Sequence, residues 1–226
     1  PLYISWLKNL AENYADKVIL VATGKIWTDN WIRTPFGSID ESRVLRVDNA
    51  IEPSQYPFVK KKFNPKGQRK FLYIGHTAWY KNTEELERFA LSIPNFQGGH
   101  IGDGVIKGWK KIANFAELTE EFMSKIALEY DVFVNTSSGD AQATTILENI
   151  CFGFPIACTL ESGYNYPSII RLDVADTAYN VKKLNELQQM DEGELQKLVN
   201  ENQRYVAEKH TWKIFLDHVT QFMGLV

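Results

Sequence analysis

The sequence predicts an α/β fold in which a Rossmann-like parallel sheet is covered by helices on both faces. Short apolar segments, such as Lys70–Ile74 (KFLYI) and Asp131–Asn135 (DVFVN), recur along the chain. Amphipathic stretches of helical length separate these segments, and Gly, Pro, Asn and Ser punctuate the turns between them. Because strands buried on both faces form continuous apolar runs, the pattern favours parallel strands over an antiparallel sheet.

The composition is that of an ordinary globular protein, with 226 residues, 44% hydrophobic and 23% charged residues. A net charge of −3 gives no electrostatic case for nucleic-acid binding. The chain has no signal peptide and no apolar run of membrane-spanning length, and because it opens on Pro1 we expect a processed or truncated piece. Cys151 and Cys158 lie in apolar surroundings and are expected to be buried, reduced thiols, which favours a cytoplasmic location.

The first third of the chain is irregular. A helical period covers residues 2–14, and Lys17–Thr23 (KVILVAT) reads as a strand. Residues 24–43 are loop-rich, and Val44–Val47 is a second strand. The Pro- and Lys-rich residues 53–69 read as a linker. Its basic residues are expected to be solvated rather than to form a polyanion patch; they are Lys60, Lys61, Lys62, Lys66 and Arg69, with Lys70 following.

From residue 70 strands and helices alternate regularly. The helix at Thr83–Ser92 has Asn82 or Thr83 as its cap and Glu84 and Glu85 in its first turn, where the helix dipole favours acidic side chains. The predicted strands are residues 70–74, 96–101, 112–115, 131–135 and 155–159, with a further short one near Ile169 and Leu172. The other predicted helices are residues 119–129, 144–152, 176–190, 192–209 and 212–223.

Ligands of open parallel sheets bind beyond the carboxyl ends of the strands, where four loops should converge. These loops are Gly75–Lys81, Gly102–Gly104, Asn135–Thr145 and Leu160–Tyr164.

The third of these loops carries the strongest signal. Asp140 and Glu148, with seven residues between them, bracket the predicted start of a helix. The first amides of a helix lack internal partners and can bind phosphate or sugar oxygens. Asp140 is either a ligand for a sugar or a helix N-cap, and Glu148 either a functional carboxylate or a surface helix residue. We favour function, because Glu148 lies in so apolar a helix that its carboxylate needs a partner, which ribose hydroxyls would supply.

The other loops give weaker signals. Lys81 is either a point-charge partner for a diphosphate or a surface lysine before a helix. His76 is either a second phosphate partner or a neutral polar loop residue. The two glycines of Gly102–Gly104 more often form a tight turn than a phosphate cradle, and without a third glycine opening a helix they argue against an NAD enzyme. No His/Cys/Asp cluster has metal-ligand spacing, so no metal is predicted.

Together these motifs resemble the C-terminal, donor-binding half of retaining GT-B glycosyltransferases (group 1, family 4-like), over roughly residues 44–223. Phe71–Gly75 is similar to the family's strand and glycine that precede its basic pair. Lys81 matches the lysine of that pair, whereas His76 stands where arginine is usual. Asp140 takes the place of the first glutamate of the acidic motif, and Glu148 matches the second. Ala143 takes the place of a glycine.

The resemblance implies an enzyme that transfers a hexose from a UDP- or GDP-sugar to a glycan or lipid-linked acceptor, without metal or cofactor. It implies catalytic roles for Lys81 and Asp140. The donor-binding residues that it implies are Gly75, His76, Lys81, Gly102, Gly104, Ser138, Asp140, Ala143, Thr144 and Glu148.

The resemblance also divides the chain. Residues 1–43 would be a remnant of an N-terminal acceptor domain, 44–69 a linker and first strand, 70–210 the donor-binding domain, and 211–226 a helix returning to the N-terminal domain. The fragment alone would then be inactive, and the full-length protein could associate peripherally with membranes. A GT-B epimerase and a non-catalytic module that binds a nucleotide or a protein partner remain alternatives. Base, sugar and acceptor are not specified by the sequence.

Overall fold

A sheet of six parallel strands forms the centre of the fold. The structure, a computed structural model, describes residues 2–22, 39–56, 58–115 and 118–225, without the side chains of residues 2–4. Every neighbouring pair of strands in this sheet is parallel, as predicted. The strands are β3 (Phe71–Ile74), β4 (Gly98–Ile101), β5 (Trp109–Ala113), β6 (Val132–Asn135), β7 (Ile156–Thr159) and β8 (Ile170–Leu172), in the order β5-β4-β3-β6-β7-β8.

Helices cover both faces of this sheet. Successive side chains of a strand point to opposite faces, so Leu72 and Ile74 join one apolar cluster and Phe71 and Tyr73 the other. The first cluster includes residues of the helices Glu120–Glu129 and Thr144–Cys151, and the second includes residues of Thr83–Ser92 and Thr177–Gln189. The helices are α1 (Leu2–Asn13), α2 (Thr83–Ser92), α3 (Glu120–Glu129), α4 (Thr144–Cys151), α5 (Thr177–Gln189), α6 (Glu192–Lys209) and α7 (Trp212–Met223). Within the described ranges, no helix is both long and apolar enough to cross a membrane.

A second, two-stranded parallel sheet lies outside the main one. Its strands are β1 (Val18–Val21) and β2 (Val44–Val47). The domain boundary expected at residue 43 therefore falls between two strands that pair with each other, because β2 joins β1 instead of opening the main sheet. Thr23 and most of the predicted loop at residues 24–43 lie outside the described residues.

In the main sheet, the starts of β4 and β5 differ from the prediction by more than one residue. β5 spans Trp109–Ala113 rather than residues 112–115, because an edge strand tolerates the exposed Lys110 and Lys111 that broke the apolar pattern. β4 begins at Gly98 rather than at residue 96, since Asn95 has a left-handed backbone (φ 54°) that delays entry into the sheet.

The expectation that the basic stretch is solvated is wrong for two of its members. Lys60 and Arg69 are each 3% exposed. The Lys60 ammonium donates to the Ala127 carbonyl at 2.6 Å and lies 3.4 Å from the Asp131 carboxylate. Charge counting along the chain cannot reveal this, because Asp131 is distant in sequence and meets the stretch only after the sheet forms.

The strand order creates a crevice between β3 and β6. The chain runs outward from β3 through β4 to β5, then returns beside β3 to continue through β6, β7 and β8. At such a switch point the loops that follow the two central strands diverge and leave room for a ligand. The loops after Ile74 and after Asn135, which contain most of the predicted site residues, therefore flank the same crevice.

Candidate functional site

Two loops form the centre of the candidate site, and hydrogen bonds hold them together. The Ser138 amide and hydroxyl both donate to the Tyr80 carbonyl, at 2.7 and 3.2 Å. The Thr136 hydroxyl lies 3.2 Å from the carbonyl of Lys81 and 3.1 Å from that of Asn82. Ser138 was expected to bind the sugar nucleotide. Its amide and hydroxyl instead attach one loop to the other.

Lys81 and Asp140 form an ion pair across this junction. The Lys81 ammonium donates to Asp140 Oδ2, and the two side chains are only 14% and 16% exposed. The Ser137 hydroxyl also donates to Asp140, at 3.5 Å. Asp140 is not a helix N-cap, because α4 begins at Thr144 and its N-cap is Ala143. The structure thus pairs the cation and the carboxylate that the sequence placed at one edge of the sheet.

The ring of His76 is occupied within its own loop. Nδ1 accepts a hydrogen bond from the Ala78 amide at 3.2 Å, so the proton of the neutral ring lies on Nε2. Nε2 is 3.1 Å from the Tyr80 hydroxyl. The expected contact between this ring and a phosphate would require both hydrogen bonds to break.

The three predicted site glycines allow two loops to approach closely. A methyl group on Gly102 (φ 135°) would lie 1.9 Å from the Gly75 carbonyl oxygen, and one on Gly104 (φ 82°) would lie 2.4 Å from Thr77 Oγ1. The Lys111 ammonium donates to the carbonyls of both Gly102 and Gly104. These contacts support the tight-turn interpretation, since only glycine fits where the backbones touch.

The start of helix α4 has fewer open amides than expected. The Ala143 amide donates to the Ser162 carbonyl at 3.2 Å and the Asp140 amide to the Glu161 carbonyl at 2.9 Å. The expected contact between Ala143 and a donor is therefore not available without rearrangement. Thr144 and Thr145 have amides with no acceptor among the described residues, as is usual in the first turn of a helix.

Glu148 lies on the second turn of α4, half-buried and without a hydrogen-bond or ion-pair partner in the described part of the chain. Burial raises the pKa of its carboxyl group. Burial and then the Glu148 charge raise the pKa of two neighbours, the Tyr56 hydroxyl and the Cys151 thiol, each to about 12. The carboxylate that the sequence identified as needing a partner thus has none among the residues that the structure describes.

Gln142 is a residue of this loop that the sequence analysis missed. Its side-chain amide donates to Asp48 Oδ1 at 2.6 Å, and its Oε1 accepts from the Asn49 amide at the same distance. The Asn49 carbonyl accepts a hydrogen bond from Nδ1 of His210. His210 is buried, and this burial lowers its pKa. No local pattern distinguishes Gln142 from other loop glutamines, because its partners are remote in sequence.

Both cysteines are free and buried, as expected. Across the described ranges, no three His, Cys, Asp or Glu side chains are grouped closely enough to hold a metal ion. The absence of a metal from the reaction stays a prediction.

No known family profile matches the chain, and no curated protein sequence matches it. Solved structures match it in fold. Sucrose-phosphate synthase from Thermosynechococcus elongatus has a TM-score of 0.77 and 14% identity, over 99% of this chain and 61% of its own. WaaG, a glycosyltransferase involved in lipopolysaccharide biosynthesis, has a TM-score of 0.71 and 12% identity, over 98% of this chain and 67% of its own.

A third structure is Anabaena Alr3699/HepE in complex with UDP and glucose, with a TM-score of 0.74 and 11% identity, over 100% of this chain and 67% of its own. The chain has the α/β fold of GT-B glycosyltransferases and spans about two thirds of the length of these proteins.

Proposed function

We propose that this chain is the donor-binding part of a retaining glycosyltransferase, which transfers a hexose from a nucleoside diphosphate sugar to a glycan or lipid-linked acceptor in polysaccharide biosynthesis. Residues 70–210 would form the donor domain, with UDP or GDP as the nucleotide. The proposal includes independence from metals and a cytoplasmic location, with peripheral membrane association of the longer protein.

Glu148 carries this proposal. A half-buried carboxylate without a partner among the described residues destabilises the unliganded chain, and a ligand that supplies hydroxyl donors would remove this cost. A ribose offers two neighbouring hydroxyls, and one carboxylate can accept hydrogen bonds from both. The complex of Alr3699/HepE with UDP and glucose supports this choice of ligand class.

The remaining groups suit the diphosphate and the sugar. Lys81 would bind the diphosphate and stabilise the charge that develops on it as the sugar departs. Asp140 would then be released from its ion pair with Lys81 and accept hydrogen bonds from sugar hydroxyls. The amides of Thr144 and Thr145, which have no acceptor among the described residues, would bind the distal phosphate or the sugar. Holding the donor in one orientation lowers the entropic part of the barrier.

The acceptor and the groups that bind it would belong to a domain other than residues 70–210. This chain would therefore bind a donor but transfer nothing alone. Transfer activity would have to be measured on a longer protein that includes both domains, whereas donor binding can be tested on the chain itself.

Calorimetric titration with UDP-, GDP- and ADP-sugars and with the free diphosphates tests the proposal. We expect saturable binding of the compounds that share one base, which is uracil, guanine or adenine. Glu148→Ala should weaken it at least about tenfold, because hydrogen bonds to a charged group are worth about 1.5–3 kcal/mol. Asp140→Ala should weaken binding of the sugar nucleotide.

Glu186→Ala provides the matched control, because this exposed carboxylate lies on α5 and forms an ion pair with Lys183, which is near it in sequence. Equal affinity of the wild type, Glu148→Ala and Asp140→Ala would refute the site assignment. Absence of binding in every series, both here and in the longer protein, would refute the proposed function.

A further inference from the structure

Two buried side chains hold the backbone of the loop that follows β3. Nε2 of His100, on the neighbouring strand β4, donates to the Gly75 carbonyl at 3.1 Å. The Tyr73 hydroxyl donates to the His76 carbonyl at 2.9 Å. Tyr73 and His100 are each 1% exposed, and their rings stack with centroids 5.6 Å apart. Two consecutive carbonyls are thus fixed toward the protein interior by a rigid pair of rings.

These hydrogen bonds also set the direction of two amides. The described peptide bonds are trans, and in a planar trans peptide the N–H points opposite to the C=O. With the Gly75 and His76 carbonyls turned inward, the N–H groups of His76 and Thr77 point away from the interior. Neither amide has an acceptor among the residues that the structure describes. Successive outward N–H groups of this kind form anion-binding concavities in many proteins.

The loop offers an anion few alternatives at this end. Both ring nitrogens of His76 are engaged, with the Ala78 amide and the Tyr80 hydroxyl, so neither is free to contact an anion. Gly75 has no side chain, and a methyl group there would lie 2.6 Å from the Tyr73 hydroxyl. The ammonium groups near the loop are those of Lys81, at its other end, and of Lys111, which donates to the carbonyls of Gly102 and Gly104.

We infer that Tyr73 and His100 are positioning residues, which aim the backbone amides of His76 and Thr77 at a phosphate group of the donor. The identification of the anion as the diphosphate of a nucleotide sugar rests on the proposed function. The contact at His76 is then made by its amide rather than by its ring. The side chains of Tyr73 and His100 never touch the ligand and act only through the carbonyls that they hold.

Amide-resolved NMR titration of the chain with inorganic pyrophosphate tests this inference directly. We expect the His76 and Thr77 amide resonances of the wild type to shift saturably. In Tyr73→Phe and in His100→Leu the shifts should shrink and the dissociation constant should rise about threefold to tenfold, which is less than for loss of a whole hydrogen bond to an anion, because each variant misaligns an amide without removing it. His100→Gln, which keeps a side-chain N–H donor, should restore part of the affinity.

Tyr130→Phe is the matched control, because Tyr130 is a buried tyrosine that follows α3 and lines the opposite edge of the sheet. It should leave the pyrophosphate affinity unchanged. Thermal unfolding of each variant identifies any that fail to fold, and Tyr73→Phe removes only one oxygen, so it keeps the test valid if His100→Leu unfolds.

The outcomes separate this inference from the proposed function. If pyrophosphate shifts neither amide of the wild type, or if Tyr73→Phe binds pyrophosphate as the wild type does, the inference is overturned. If nucleoside diphosphates bind and respond to Glu148→Ala while Tyr73→Phe has no effect, the proposed function stands without it. If pyrophosphate binding depends on Tyr73 but no nucleoside diphosphate binds, the anion site stands and the proposed function fails.

Discussion

Gln142 and Asn49 share two hydrogen bonds that tie the site loop to the segment preceding the main sheet. The Asn49 amide donates to Gln142 Oε1 at 2.6 Å, and Asn49 Nδ2 donates to the Gln142 carbonyl at 2.9 Å. Gln142 Nε2 donates in addition to Asp48 Oδ1. Since Gln142 lies two residues after Asp140, these bonds fix the position of the loop that carries the ion pair with Lys81.

Gln142→Glu should destabilise the chain at neutral pH. The new carboxylate would face the Asp48 carboxylate, and the N–H donor that Gln142 gives to Asp48 would be absent. The loss of this hydrogen bond at a buried site should lower the free energy of unfolding by about 1–3 kcal/mol. Chemical unfolding monitored by circular dichroism measures this loss of stability. At acid pH the loss should be smaller, because a protonated glutamate is neutral and can donate a hydrogen bond to Asp48.

The double variant Asp48→Asn with Gln142→Glu restores a donor and an acceptor with their positions exchanged. We expect it to recover most of the lost stability. If the single variant is as stable as the wild type, Gln142 does not hold the loop.

Glu148→Gln should stabilise the unliganded chain at pH 7 while weakening donor binding about tenfold. The folded pKa of Glu148 is raised, so the folded state binds its proton more tightly than the unfolded state does. The stabilisation from this proton is fully present below the ordinary value of 4.5 and is lost as pH rises through the folded pKa.

The stability gain of Glu148→Gln should therefore vanish at acid pH, which urea unfolding at several pH values measures. Glu186→Gln, at an exposed site, is the control. A Glu148→Gln chain that is less stable at pH 7 would mean that the carboxylate has a partner in solution.

Replacing Lys81 and replacing Asp140 should have opposite effects on the affinity for a free diphosphate. Lys81→Met removes the cation and should weaken nucleoside diphosphate binding about tenfold, with less dependence on salt. Asp140→Asn frees Lys81 from its ion pair and removes a negative charge, so a free diphosphate should bind as tightly or more tightly. Calorimetry at two ionic strengths measures both effects. Weaker binding of the free diphosphate to Asp140→Asn would show that the pair does not compete with the ligand.

Asp131 should be a main determinant of stability. It is fully buried and accepts hydrogen bonds from the Asn64 and Lys70 amides, at 2.8 and 2.9 Å, beside buried Lys60. Asp131→Ala leaves the ammonium of Lys60 without its carboxylate and should cost about 3–5 kcal/mol in the free energy of unfolding.

The control for Asp131 is Glu129→Ala, which breaks ion pairs at the surface with Lys110 and Lys70. Exposed pairs contribute at most about 1 kcal/mol, so denaturant unfolding should separate the two variants clearly. Equal losses in both would contradict the burial of this cluster.

Gly102→Ala should disturb the contact between the loops after β3 and β4. Its methyl group would lie 1.9 Å from the Gly75 carbonyl oxygen at a left-handed φ of 135°. We expect a loss of about 1–3 kcal/mol or more, from steric overlap and backbone strain. Gly139→Ala is the control, because a methyl group there meets nothing within 4 Å. Thermal unfolding compares the two, and an unchanged melting temperature in Gly102→Ala would contradict the close approach.

The sequence by itself determined the strand and helix order from residue 70 onward, since buried strands and amphipathic helices leave local periodic patterns. It also placed Asp140 and Glu148 on either side of a helix start, because that position depends only on neighbouring residues. α7 occurs at Trp212–Met223, as its pattern predicted.

The tertiary structure alone decided which polar groups meet. It buried Lys60 against Asp131, used the Ala143 amide for the Ser162 carbonyl, paired Lys81 with Asp140 and tied Gln142 to Asn49. Each partnership joins residues far apart in sequence, or on loops whose separation depends on the order of the strands. A local pattern records whether a side chain is buried, whereas its hydrogen-bond partner is set by which loops the sheet brings to one edge.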